Sequence, residues 1–487
     1  MKTISSSVRV DILLKAIILT VFIFSSPNYL WAIDDISGSK PDESDEVAID
    51  ENPSDDCEDE DAAGPKVKVK GRRLLVDFDG NGKYQRYFIK GAAYSPHPIG
   101  TFPSQFGTCR YLGTDEVSQT DQFSCEGEGE PYFYNRQDIL DRDFNPDLPS
   151  LVTLGVNTIR IWNGFTNDLL TDEPAFQLKA LLDKAEAGGI KVIMGFWVDY
   201  GLNFSDPLVR DDVMDRFERY VQAYKDHPAV LFWAVGNENN FFLGNNSPGD
   251  WYSLANELAQ KAKSIESANY HPVAIVNGDL GFIGDSLSGA VDDQLDSIDI
   301  WGVNVYRGGL GFNHLFKEYS QKSKKPLWVS EFGVDAYDMQ KNSIDERTQA
   351  RLDKRLWQRI REHSHVTIGA TVMAYSDEWW IDNGQWNSSA ATHNIGGGPG
   401  GVQDGFVNEE WWGIMGVEDN GDGPDQFIPR DVFCALRRGF TVKGQGAHYR
   451  GPENAQSCDE TWACCPEDKG FAKDGRCVKK CTPKSKL

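Results

Sequence analysis

The stretch Leu231-Phe232-Trp233-Ala234-Val235-Gly236-Asn237-Glu238-Asn239 decides how this chain is read. Its first five residues form an unbroken apolar run, the length of one strand buried on both faces, as strands of parallel sheets are. A glycine closes the run and polar residues follow, among them a carboxylate. Such a stretch either delivers an acid to a pocket or simply ends in a polar loop. A second carboxylate delivered in the same way would decide for the pocket.

Outward from this stretch the pattern repeats. Phe88–Tyr94, Val156–Trp162, Ile190–Trp197, Pro272–Val276, Ile298–Val305, Pro326–Glu331 and Val366–Ala374 are also strand-length apolar runs. Segments of helical periodicity separate them, at Asp147–Leu154, Glu173–Gly188, Asp211–Lys225, Trp251–Ser267, His314–Lys322 and Glu346–His363, with Pro429–Phe440 as a closing helix. Eight strands alternating with helices predict an α/β chain folded as a (β/α)8 TIM barrel. An open doubly wound sheet alternates similarly, but it carries a Gly-rich phosphate turn after its first strand, and here Ser95-Pro96-His97-Pro98 and a long polar loop follow instead. Before the barrel, Val67–Lys70, Leu74–Phe78 and Tyr84–Ile89 read as an N-terminal hairpin around Asp79-Gly80-Asn81-Gly82. The run Asp77-x-Asp79-x-Asn81-Gly82 imitates a calcium loop, but Phe88 stands where the bidentate glutamate belongs, so no metal is expected.

With 487 residues, 40% hydrophobic and 12% aromatic, the chain has ample material for one large core. Its net charge of -25, from 74 acidic against 49 basic side chains, repels phosphates and excludes nucleic acid as a partner. Residues 1–32 carry Arg9 and Lys15, then the apolar run Ala16–Phe24, and end at Ala32. That is the pattern of a secretory signal peptide, about half the length a membrane span needs. Residues 33–64 are acidic and nearly free of large apolar side chains, the composition of a disordered spacer. The catalytic domain is then 65–445, and residues 451–487 crowd five of the nine cysteines into a small disulfide-rich C-terminal tail. Cys109 and Cys125 are a plausible pair in the long loop, and Asn203, Asn245 and Asn387 open glycosylation motifs.

In a barrel, every strand's C-terminal end opens on one face, so Glu238 after strand four and Glu331 at the end of strand seven can meet across the mouth. Two buried carboxyls delivered to one place are the requirement of a retaining glycosidase, which holds its pair roughly 5 to 5.5 Å apart.

At these residues the chain resembles clan A of the retaining glycoside hydrolases. Gly236-Asn237-Glu238 and Trp328-Val329-Ser330-Glu331-Phe332-Gly333 carry the resemblance, which covers about Leu74 to Phe440. His227–Glu238 is similar to the catalytic barrel of family 2, and family 5 shares the clan. Phe88–Tyr94 and Trp301–Tyr306 look more like the β-1,3-glucanosyltransferases of family 72, which also carry a cysteine-rich C-terminal module. The resemblance implies that Glu238 is the acid/base and Glu331 the nucleophile. It makes Asn237 the ligand of the sugar 2-hydroxyl, Arg160 the positive charge beside the nucleophile, and Tyr306 its hydrogen-bond donor. Trp379 or Trp380 after strand eight would lie under the sugar, and Trp197 is a further aromatic at a strand end. Asp199, Tyr200, Asp377 and His97 are candidate hydroxyl binders. Trp386, Trp411 and Trp412 either line subsites or fill loops, and 384–405 either walls the groove or is disordered.

The expectation is therefore a secreted or cell-surface retaining β-glycosidase acting on a polysaccharide or oligosaccharide such as a β-glucan. No metal or organic cofactor and no membrane span in the mature chain are expected. A glucanosyltransferase is the alternative outcome of the same chemistry. A non-catalytic carbohydrate-binding cell-surface protein is the alternative from another class.

Overall fold

A computed structural model describes residues 66–97, 99–100, 107–112, 117–119, 130–135, 144–162, 175–381, 391–397, 404–419 and 425–441. The expected signal peptide, acidic spacer and cysteine-rich tail lie outside these residues, as do Cys125, Trp386 and Asn387. Among the described residues, no helix is long and apolar enough to cross a membrane.

Eight parallel strands close into a barrel: β1 (Ile89–Ala93), β2 (Thr158–Ile161), β3 (Lys191–Phe196), β4 (Val230–Val235), β5 (Val273–Gly278), β6 (Ile300–Asn304), β7 (Leu327–Phe332) and β8 (Thr367–Val372). Each pairs with its sequence neighbours, and β8 closes on β1 through Gly369–Ile89 to Val372–Ala92. Helices α1 (Phe144–Leu154), α2 (Ala175–Ala187), α3 (Pro207–Tyr224), α4 (Pro248–Glu266), α5 (Gly308–Lys322), α6 (Glu346–Glu362) and α7 (Asp431–Phe440) belong to the connections and the close of the chain. Local chemistry starts several of them: Asp206 caps α3 ahead of Pro207, Ser247 and Asp250 form a capping box on α4, and Asp345 caps α6.

The strands are buried on both faces, which is why they read as continuous apolar runs. In β4, Trp233 packs outward on Tyr220 of α3, their rings 5.6 Å apart. Leu231 and Phe232 are successive residues, yet both join the inner cluster with Ile193, Ala274 and Ile300. A break in register against β3 between Val230 and Phe232 allows this.

The N-terminal segment forms a three-stranded antiparallel sheet, Val67–Lys70, Arg73–Val76 and Gln85–Tyr87. Its Val67, Leu74, Val76 and Tyr87 belong to the barrel's inner apolar cluster, and the Tyr87 hydroxyl donates to the Asn157 carbonyl at 2.6 Å, just before β2 begins. The sheet therefore plugs the end of the barrel opposite the strands' C-termini. The pseudo-calcium run is a turn in which Asp77 accepts from the backbone N–H of Asn81 and Gly82.

The long polar loop expected after β1 is not without structure. It contains a second three-stranded sheet, with Gly107–Leu112 between Val117–Gln119 and Glu130–Asn135. The run Pro131-Tyr132-Phe133-Tyr134 carries the strand preference that loop composition had masked. Cys434 on α7 is buried and disulfide-bonded.

Candidate active site

The opening stretch ends β4 in a turn that only a glycine permits. Gly236 has φ of 66°, and a Cβ there would lie 2.4 Å from the Trp251 ring. Glu238 itself holds φ of 56°, uncommon for a residue with a side chain and a mark of sites where backbone strain is retained for a purpose. Two asparagines pin this turn to its neighbours. Asn239 accepts from the Asn237 N–H at 3.0 Å and donates to the Val198 carbonyl at 2.9 Å. Asn240 donates to the Gly278 carbonyl and accepts its N–H, tying the turn to β5.

Glu238 and Glu331 are both 6% exposed and are linked by one chain of side chains across the mouth. Asn304 donates to Glu238 Oε1 at 2.9 Å and to Asn237 Oδ1 at 3.0 Å. Arg160 donates to Asn237 Oδ1 at 2.8 Å through Nη2, and to Glu331 Oε1 at 2.6 Å through Nη1. Tyr306 donates to Glu331 Oε2 at 2.6 Å. Ser330, the residue before Glu331, fixes the Asn304 amide by donating to its Oδ1 at 2.7 Å. The two carboxyls thus sit in different fields. Glu331 has an ion pair and a phenol. Glu238 has one amide donor, and its pKa is pushed up to about 8, by burial first and then by the charge of Glu331.

The structure therefore brings Asn237, Glu238, Arg160, Tyr306 and Glu331 together. The expected accessory residues divide. Tyr200 is not a free hydroxyl binder, because it donates to the Asn237 carbonyl at 2.5 Å and supports the turn from below. Asp377 is a correction. Its carboxylate is gripped by Arg430 at 2.5 and 2.7 Å and accepts the Gly413 N–H, at 2% exposure, so it anchors the loop after β8. Asp199 is half-buried and accepts the Gly201 N–H, and Trp197 is half-buried against the Tyr200 ring. His97 meets Trp380 edge-on at 5.9 Å, and Trp379 stacks on His393 at 4.4 Å. The segment expected either to wall the groove or to be disordered is tied down in its described parts: residues 393–397 bond to 407–411 through Asn408, Glu410 and the Trp411 indole. Trp411 packs there against His393, 3.5 Å apart.

Asn304 and Ser330 were missed as site residues. Their signal was polar side chains inside otherwise apolar strand runs, which burial tolerates only with partners. Trp412, undecided from sequence, is 5% exposed and meets Tyr306 edge-on at 4.9 Å, bracing the phenol that reaches Glu331.

Residues 179–401 match the sequence profile of the TIM barrel domain of glycosyl hydrolases family 2, a span that contains both glutamates. Over that span the barrel is similar to those of clan A glycoside hydrolases. Two curated fungal proteins, each a probable mannan endo-1,4-beta-mannosidase F, from Aspergillus flavus and Aspergillus oryzae, are 21% identical to this chain over 329 residues, covering 53% of it and 70% of theirs. Among solved structures, a family 2 β-galacturonidase from Eisenbergiella tayi superposes with a TM-score of 0.48 at 15% identity, over 78% of this chain and 55% of its own. A mutant of Saccharomyces cerevisiae Gas2p in complex with laminaritetraose and laminaripentaose gives 0.47 at 18%, over 79% and 69%. This chain thus spans about half the length of the galacturonidase.

Proposed function

We propose that the protein is a secreted retaining β-glycosidase that cleaves a polysaccharide through a covalent glycosyl-enzyme. The observation that carries this reading is the unequal setting of the two carboxyls. Glu238, kept protonated by burial, donates its proton to the departing glycosidic oxygen. Glu331, ion-paired to Arg160 and held by Tyr306, attacks the anomeric carbon as the C–O bond breaks. Glu238, now a carboxylate, takes a proton from the second nucleophile, whose oxygen displaces Glu331 and frees the sugar. Water in that role gives hydrolysis and a sugar hydroxyl gives transfer. Asn237 accepts two hydrogen bonds at Oδ1, which leaves its amide N–H groups to donate to the sugar 2-hydroxyl.

A β-glucan is the first candidate substrate. A β-1,4-mannan is the second, favoured by the name of the two fungal relatives. The apolar run near Met1 supports secretion. A binding-only groove has no use for two buried acids in opposed settings, which argues against the non-catalytic alternative. The test is product analysis on β-1,3-glucan, β-1,4-glucan and β-1,4-mannan oligosaccharides with wild type, Glu238→Ala and Glu331→Ala. Each variant should fold and lose turnover by about 10³-fold or more. Unchanged rates in either variant would sink the assignment.

A further inference from the structure

Glu378, six residues past the end of β8, has no part in the chemistry above. It is 3% exposed, and its Oε1 is fully buried without a hydrogen-bond partner among the described residues. A buried acceptor left unmatched costs about 1–3 kcal/mol, so its presence asks for a partner from outside the chain. Burial first, and then the charges of Glu409, Glu331 and Asp377, raise its proton affinity well above the ordinary carboxyl range, which sets it close to the two-carboxyl site. The next two residues repeat the condition as donors, since the indole Nε1 atoms of Trp379 and Trp380 are also buried and unpaired among the described residues. These rings are fixed in place. Trp379 stacks on His393, which stacks on Trp411, and Trp380 meets His97.

We propose that Glu378 is a specificity-determining residue, which hydrogen-bonds the hydroxyl groups of a neutral sugar on the nucleophile side of the cleft and bars uronates from it. The proposal rests on the glycosidase reading given above. Its carboxyl offers an acceptor and, when protonated, a donor, which suits a pair of sugar hydroxyls. The local charge agrees. Glu331 and Glu409 act on both Glu238 and Glu378, and Arg160 is already bound to Glu331 and Asn237. Arg307 and Arg430 are likewise held, by Asp279 with Glu318 and by Asp377. An anionic sugar entering here meets the carboxylate of Glu331 in a poorly solvated site, while the nearby guanidinium groups are already engaged.

The experiment compares wild type, Glu378→Ala and Glu378→Gln on matched aryl β-glucoside, β-mannoside and β-glucuronide, and on the neutral oligosaccharides of the panel above. Thermal unfolding is followed for each protein. Wild type should turn over a neutral substrate and leave the glucuronide untouched. Glu378→Ala should lose kcat/KM on the neutral substrate by about 100-fold, the scale on which sites built around a hydroxyl depend on its partner. Glu378→Gln, which keeps a donor and an acceptor, should recover to within about 10-fold. Turnover of the glucuronide in preference to neutral sugars overturns this inference while sustaining the glycosidase. So does a folded Glu378→Ala with unchanged kcat/KM. No turnover of any substrate by wild type overturns both.

Discussion

Asn304 on β6 reaches past β5 to meet Glu238 directly, its Nδ2 lying 2.9 Å from Oε1. This is the hydrogen bond that favours the ionised form of Glu238 against burial and the field of Glu331. In the mechanism proposed above Glu238 must carry its proton, so kcat/KM of wild type should fall as pH rises through about 8. In Asn304→Ala the falling limb should move to higher pH, and the rate at neutral pH should drop by about 10- to 100-fold as Asn237 also loses a donor. A pH–rate profile superimposable on wild type would show that the bond has no such role.

Tyr306→Phe removes only the hydroxyl that donates to Glu331 at 2.6 Å, and leaves the ring to pack on Trp412. Folding stability should change little. A fall in kcat/KM of about 10- to 100-fold is expected, from a net charge-assisted hydrogen bond of about 1.5–3 kcal/mol. Steady-state kinetics beside a melting curve separates this from a packing defect, in which the melting point would fall instead.

The ion pair of Arg430 and Asp377 is buried, and breaking it tests architecture. Arg430→Met should destabilise the fold by about 3–5 kcal/mol, because it strands a buried carboxylate. Adding Asp377→Asn should recover part of the loss. Denaturant unfolding of the single and double variants measures both, and additive losses would refute the coupling.

Asp147 on α1 is buried, accepts the hydroxyls of Tyr94 and Tyr375, and has its pKa raised to about 7, burial being the dominant cause. Burial raises Asp335 similarly, to about 8. For such groups the native state binds the proton more tightly than the unfolded chain does. Their stabilisation is therefore complete below about pH 4 and is lost as pH rises through 7 to 8. The melting temperature should decline between about pH 4 and 8, and Asp147→Asn should flatten that decline. An equally steep decline in the variant would contradict this origin.

The barrel was legible because its strands are buried on both faces, so each wrote a continuous apolar run with a polar end. Glu238 and Glu331 were legible because each stood at such an end. Asn304 was not, since one amide inside Ile300–Asn304 looks like an exception until its partners are known. Asp377 misled for the converse reason. A carboxylate past a strand end looks available for a ligand, and nothing local announces Arg430, which lies 53 residues along the chain. The sheet at Gly107–Leu112 stayed hidden because its strands are short and polar, without the periodicity of a buried element.

The plug beneath the barrel also fixes where the chain enters and leaves. Lys66, beside the first strand of the plug, accepts from Asp77 through its carbonyl. At the other end of the fold, the Phe440 carbonyl accepts from Lys90 near the start of β1, and Phe440 and Thr441 lie against Gly155 ahead of β2. Both ends of the described fold thus emerge on the side facing away from Glu238 and Glu331. A tag, surface linker or second module joined at either end leaves the mouth pointing outward, so the enzyme can be immobilised from behind with the glutamates facing away from the support.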